Sequence, residues 1–171
     1  MKTSFLQGKP VQQALLAFVL VGAAAFLLLP LIAGMPTRGG YPVASSDHIS
    51  SWSWQGMYAH TSEKQREVTK ELNTLKELLG KGGMDDYDLY VGIATEYELL
   101  GDGTHSYQYL SKAITDDPKR GLAYMNMGHL METLGAFTTA RTAYEAAVSA
   151  EPNNTVFKAS RDAFLLNHPA P

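Results

Sequence analysis

Apolar positions follow three patterns along the chain. From Ala14 to Ala33 twenty residues, ALLAFVLVGAAAFLLLPLIA, run without a charge or a polar face. At ~1.5 Å per residue they span the roughly 30 Å of a bilayer's hydrocarbon core, which predicts a transmembrane helix over 14–35 behind a short amino terminus, 1–13. A cleaved signal peptide is the alternative, since Lys2 and Lys9 precede the run and Ala33 and Gly34 follow it. Against that alternative, the run exceeds the roughly 7–15 apolar residues of a signal core. Residues 36–61 have no sustained period and are rich in Gly, Pro and Ser, which predicts a flexible linker carrying Trp52, Trp54 and Tyr58. Those aromatics have two docking places open to them, the bilayer interface or the helices that follow.

Helical spacing begins at Ser62. Val68, Leu72, Leu75 and Leu79 recur three and four apart and Gly80 follows, so a helix is expected over 62–79, opened by a Ser62/Gln65 capping box. Its apolar stripe suits either a neighbour in the same chain or a short coiled coil between two copies. The segment 62–86 is therefore assigned as a capping helix. Beyond it, residues 87–120 and 121–154 each hold two amphipathic helices in one common register of thirty-four residues. Tyr90, Ile93, Ala94, Tyr97, Gly101, Ser106, Leu110, Ala113 and Pro118 align with Tyr124, Met127, Gly128, Met131, Gly135, Ala140, Tyr144, Ala147 and Pro152. Gly128 and Ala140 are expected to meet where the two helices of the second unit cross. Residues 155–171 predict a last helix, with Val156, Ala159, Ala163 and Leu166 at helical spacing.

The thirty-four-residue register and these nine positions resemble the tetratricopeptide repeat. The resemblance implies an all-α fold: an N-terminal transmembrane helix, a linker, then an α-solenoid of two helix hairpins flanked by an extra helix on each side. It also implies a concave groove lined by each first helix. Here its lining comprises Asp88, Val91, Thr95 and Glu98 in one unit and Met125, Asn126, His129, Glu132 and Thr133 in the other. A protein or peptide is the expected occupant, and the layout is similar to bacterial anchored repeat proteins of cytochrome c maturation and envelope quality control.

Charge and chemistry narrow this reading. Residues 87–154 hold nine acidic against four basic side chains, which favours a neutral or basic partner, and the chain's net charge of −3 gives no reason to expect nucleic acid. The absence of cysteine excludes disulfides and thiol catalysis. The five histidines are scattered and no nucleotide-binding or hydrolase motif occurs, so no metal, no cofactor and no enzymatic activity is expected. Lys2 and Lys9 place the amino terminus in the cytoplasm and the repeats outside it, in the periplasm of a bacterium. The expected function is that of a membrane-anchored adaptor or assembly factor. The alternatives are an accessory subunit of a membrane complex, a homodimer, or a secreted repeat protein.

Overall fold

A computed structural model describes residues 39–169. The predicted transmembrane segment, 14–35, lies outside them. Among the described residues no helix is long and apolar enough to cross a membrane, and all regular structure is helical. The helices are α1 (Ser62–Leu78), α2 (Asp86–Leu100), α3 (Gly103–Asp116), α4 (Gly121–Thr133), α5 (Phe137–Ala150) and α6 (Thr155–Asn167).

The two hairpins α2–α3 and α4–α5 follow the common register. Each first helix ends on a left-handed glycine, Gly101 at φ +79° and Gly135 at φ +75°. The amide of each bonds back into the last turn, as does the amide that follows it, Asp102 N–H to the Tyr97 carbonyl and Ala136 N–H to the Met131 carbonyl. This glycine-terminated ending satisfies carbonyls that the helix leaves open. The shared apolar positions form the core: Ile93, Ala94, Leu110 and Ala113 in one hairpin and Met127, Met131 and Ala140 in the other are fully buried.

Gly128 packs against Tyr144, one turn beyond Ala140 on α5. A Cβ placed on Gly128 would meet the ring of Tyr144 at 2.9 Å, so the missing side chain makes room for an aromatic one turn further along α5. Thirty-four residues earlier the same two positions hold Ala94 and Leu110, both fully buried. A larger residue on one helix is matched by a smaller one on the other, which keeps the core filled.

α1 lays Val68, Leu72, Leu75 and Leu79 toward its own chain, with Leu72, Leu75 and Leu79 clustered with Ile93 and Tyr97 of α2. The stripe is thus covered from within the chain. The Ser62/Gln65 capping box is absent. Thr61 occupies the cap position without a side-chain bond and Ser62 is already helical, so its hydroxyl sits one residue too late to serve the open amides.

The largest departure is in residues 39–61, which do not form a free linker. They run as an extended strap over α3, α4 and α5. Tyr41 is buried, packs edge-on to Tyr124 at 6.1 Å, and its amide donates to Ser111 Oγ at 2.9 Å. Trp52 packs on Tyr107 at 5.1 Å, and Trp54 N–H and the Trp52 carbonyl pair with Gly101 and Gly103 across a single bridge, Ser53 to Asp102. That approach needs glycine, since a Cβ at Gly101 would lie 2.1 Å from the Trp54 carbonyl oxygen.

The polar anchor of the strap is Asp47. Its carboxylate accepts from Thr138 N at 3.1 Å, from Thr139 N at 2.7 Å and from Thr139 Oγ1 at 2.6 Å. These amides belong to the open first turn of α5, whose own cap residue, Ala136, has no side-chain acceptor. In the first hairpin the same register position is Asp102, which caps α3 itself through His105 N at 3.0 Å. Burial works to raise the Asp47 pKa, and the bonds from Thr139 and Thr138 outweigh it and leave the carboxyl below its usual range.

The last helix also differs from expectation. α6 buries Phe157 and Phe164, whereas Val156 and Leu166 are 60% and 82% exposed and Ala159 and Ala163 are exposed with them. The stripe read from spacing is therefore the outward one. Phe157 packs in the space over Gly121, where an added Cβ would lie 2.4 Å from its ring.

Two tests address this architecture. Gly128→Ala drives a methyl into the Tyr144 ring and is expected to cost about 1–3 kcal/mol in urea unfolding. Adding Tyr144→Leu, which recreates the Ala94 and Leu110 pairing, should recover part of that loss. Asp47→Ala is expected to cost about 0.5–2 kcal/mol at pH 7. Because the folded pKa of Asp47 is depressed, its contribution is complete above the unfolded value of about 3.9 and is lost as pH falls through the folded value. The difference between wild type and Asp47→Ala should accordingly close in acid unfolding curves.

Candidate functional site

The first helices α2, α4 and α6 share a face. The bounds of α6 are those of α4 advanced by thirty-four residues, so it stands where the first helix of a further repeat would stand. Contacts across the three helices confirm their order. His129 Nδ1 of α4 lies 3.8 Å from Glu98 Oε2 of α2, Ser160 Oγ of α6 lies 3.9 Å from Met125 Sδ, and His168 Nε2 lies 3.2 Å from Glu132 Oε1.

Most of the predicted groove residues occupy this face. Asp88 is exposed and pairs with Arg120, whose guanidinium also reaches Asp85 at 3.1 Å and stacks 3.8 Å over the Tyr87 ring. Thr95, His129 and Thr133 are exposed, and Met125 and Asn126 are half-buried. The Thr95 and Thr133 hydroxyls turn back onto the carbonyls of Val91 and His129, which leaves their methyl groups to the surface. Val91 departs from its assignment: it is 7% exposed and belongs to the core.

Glu98 and Glu132 do more than line the face. Glu98 accepts from Ser106 Oγ at 2.9 Å, and Glu132 accepts from Tyr144 OH at 2.8 Å, so each joins a first helix to its second helix. Burial, and then the Glu132 carboxylate, push the Tyr144 pKa upward. The nearby Glu98 carboxylate raises the His129 pKa against the lowering effect of burial, with Glu132 adding to the rise.

Sequence reasoning missed the α6 side of the face, together with Arg120 and His168. The signal was present, since a thirty-four-residue step from Leu122, Met125, His129 and Glu132 reaches Val156, Ala159, Ala163 and Leu166. Among the described residues no group of three or more His, Asp or Glu side chains is arranged to hold a metal ion. The face offers shape, apolar surface and negative charge.

The His129 coupling has a measurable sign. Its raised folded pKa adds stability that is complete below the unfolded value of about 6.5 and is lost as pH rises through the folded value. In an NMR titration the His129 imidazole should have its midpoint above that of a free histidine. Glu98→Gln, which keeps an acceptor for Ser106, should return the midpoint toward the ordinary value.

No curated protein matches the chain. The family model for the tetratricopeptide repeat matches residues 122–154, the hairpin α4–α5 with its flanking turns. The match is to this hairpin, so residues 122–154 are similar to a tetratricopeptide repeat.

Proposed function

We propose that this protein is an adaptor that holds a segment of another protein on the face formed by α2, α4 and α6, and that it performs no chemistry of its own. The observation that supports this most directly is the exposure of that face. Its register positions carry Thr95, Leu122, His129 and Thr133 open to solvent, while the neighbouring positions close the core. Repeat arrays bury their apolar faces between neighbours and leave one continuous surface for a partner.

In the same proposal the repeats are carried on a single transmembrane helix at Ala14–Ala33, with the amino terminus cytoplasmic and the repeats on the other side of the membrane. The support is the uncharged apolar run and the preceding Lys2 and Lys9. The process suggested by this layout is cytochrome c maturation or envelope protein quality control.

Glu132 supports Tyr144 and His168, so it is unsuited to a binding test. A photoreactive residue at His129 should crosslink a partner in native membranes, whereas the same group at the exposed Glu145 of α5 should not. Identical adducts from both positions would remove the first-helix face as the binding site. Carbonate-washed membranes should retain the protein, and a mature terminus between Ala33 and Arg38 would replace the anchor by a cleaved signal.

A further inference from the structure

The three helices of the shared face differ in chemistry. The α2 side carries Asp88 and Glu98, α4 adds Glu132, and the charged groups that meet them are Arg120, bridging Asp85 and Asp88 at one end, and the histidines His129 and His168. The α6 side is apolar, with Val156, Ala159, Ala163 and Leu166 all exposed.

A helix that merely shields the end of a solenoid should be polar wherever it meets water. α6 follows that rule on one side only. Arg161, Asp162 and Leu165 occupy the register positions that Met127, Gly128 and Met131 use in α4 to pack on their second helix. There Arg161 and Asp162 form an ion pair at 2.6 Å, and Asp162 is exposed. The apolar residues are instead at the positions corresponding to Leu122, Met125, His129 and Glu132. Exposed apolar surface in one continuous strip, joined to a polar one, marks a contact site.

We propose that the face takes a protein segment that is basic where it crosses α2 and apolar where it crosses α6, with Val156, Ala159, Ala163 and Leu166 forming the apolar part of its seat. This rests on the adaptor reading and adds to it a class of partner and a direction. The carboxylates of α2 and α4 attract Lys or Arg side chains, whereas an acidic segment meets like charge. Ala159 and Ala163, one turn apart and exposed between Val156 and Leu166, are small enough to admit a Leu, Ile or Phe side chain of the partner against the helix.

The test uses the full chain and labelled synthetic peptides of equal length: one with a Lys/Arg half and a Leu/Ile half, one with Glu replacing its basic residues, and one with Gln replacing its apolar residues. The basic-apolar peptide should bind, and each replacement should weaken it by about tenfold or more. Leu166→Glu and, separately, Val156→Glu should weaken the basic-apolar peptide by a similar factor, with thermal melting unchanged because both side chains are exposed. A combined Met125→Ala and His129→Ala variant reports on the adaptor reading itself. Loss of binding in that variant, with both α6 variants unaffected, keeps the adaptor and overturns the proposal; binding unchanged in all variants overturns both. Equal binding of the acidic peptide, or no binding by any of the three, overturns the proposal. So does sedimentation as a dimer that Leu166→Glu disperses, which would assign the strip to a second copy of the chain.

Discussion

The contact between Gly128 and the Tyr144 ring governs the second hairpin. With no Cβ on α4, the two helices close until the ring lies against backbone, and at that separation the Tyr144 hydroxyl reaches Glu132 at 2.8 Å. Glu132 in turn faces His168 beyond α6. A single small residue in the core thus sets the position of a carboxylate on the surface and ties the last helix to the array. The first hairpin reaches a similar end by other means, with Ala94 and Leu110 in the core and Ser106 holding Glu98. The pairs differ in volume and in hydrogen bonding, but each fixes one carboxylate at the same register position.

Order along the array is supplied by borrowed caps. A helix begins with amides that lack partners within it, and neither α4 nor α5 has a capping side chain at its own start. α4 takes Tyr87 OH, which accepts from Ala123 N at 2.9 Å, and Glu151, which accepts from Gly121 N at 2.7 Å. The bonds from Gly121 and Asn154 hold the Glu151 carboxyl below its usual range. Tyr87 belongs to the first unit and Glu151 to the second, so satisfying the start of α4 ties it both to the preceding hairpin and to the end of its own. α5 takes Asp47 from the strap, which lashes the amino-terminal segment to the second repeat.

Legibility in the sequence followed the kind of interaction. The hairpins were readable because a thirty-four-residue register repeats its small, aromatic and glycine positions, and helix packing has that period. The strap was not, because Tyr41, Asp47 and Trp52 are held by individual bonds and ring contacts that follow no repeating register. Ala136, standing where Asp102 caps the first hairpin, was the nearest clue that an acceptor had to come from elsewhere. In α6 the spacing identified residues on a common face without saying which way the face turned, and the larger Phe157 and Phe164 took the inside. Of the residues that spacing assigned to the groove, Thr95, His129 and Thr133 are exposed. Spacing could not show that Val91 closes the core or that Glu98 and Glu132 also brace the hairpins.

The bond that Thr139 N donates to Asp47 joins residues 92 apart in the chain, which sets an order for biosynthesis. On a ribosome adding roughly 5–20 residues per second, the carboxylate is made some 5–20 s before the amides it will cap. During that interval the first hairpin has no need of it to form its local contacts, whereas the strap still lacks α5, the last of the helices it lies on. Long-range closure of this kind comes late because its entropy must be met before the contact is gained. The segment synthesised early is therefore among the last to be fixed, and the start of α5 stays uncapped until the amino-terminal side of the domain returns to it.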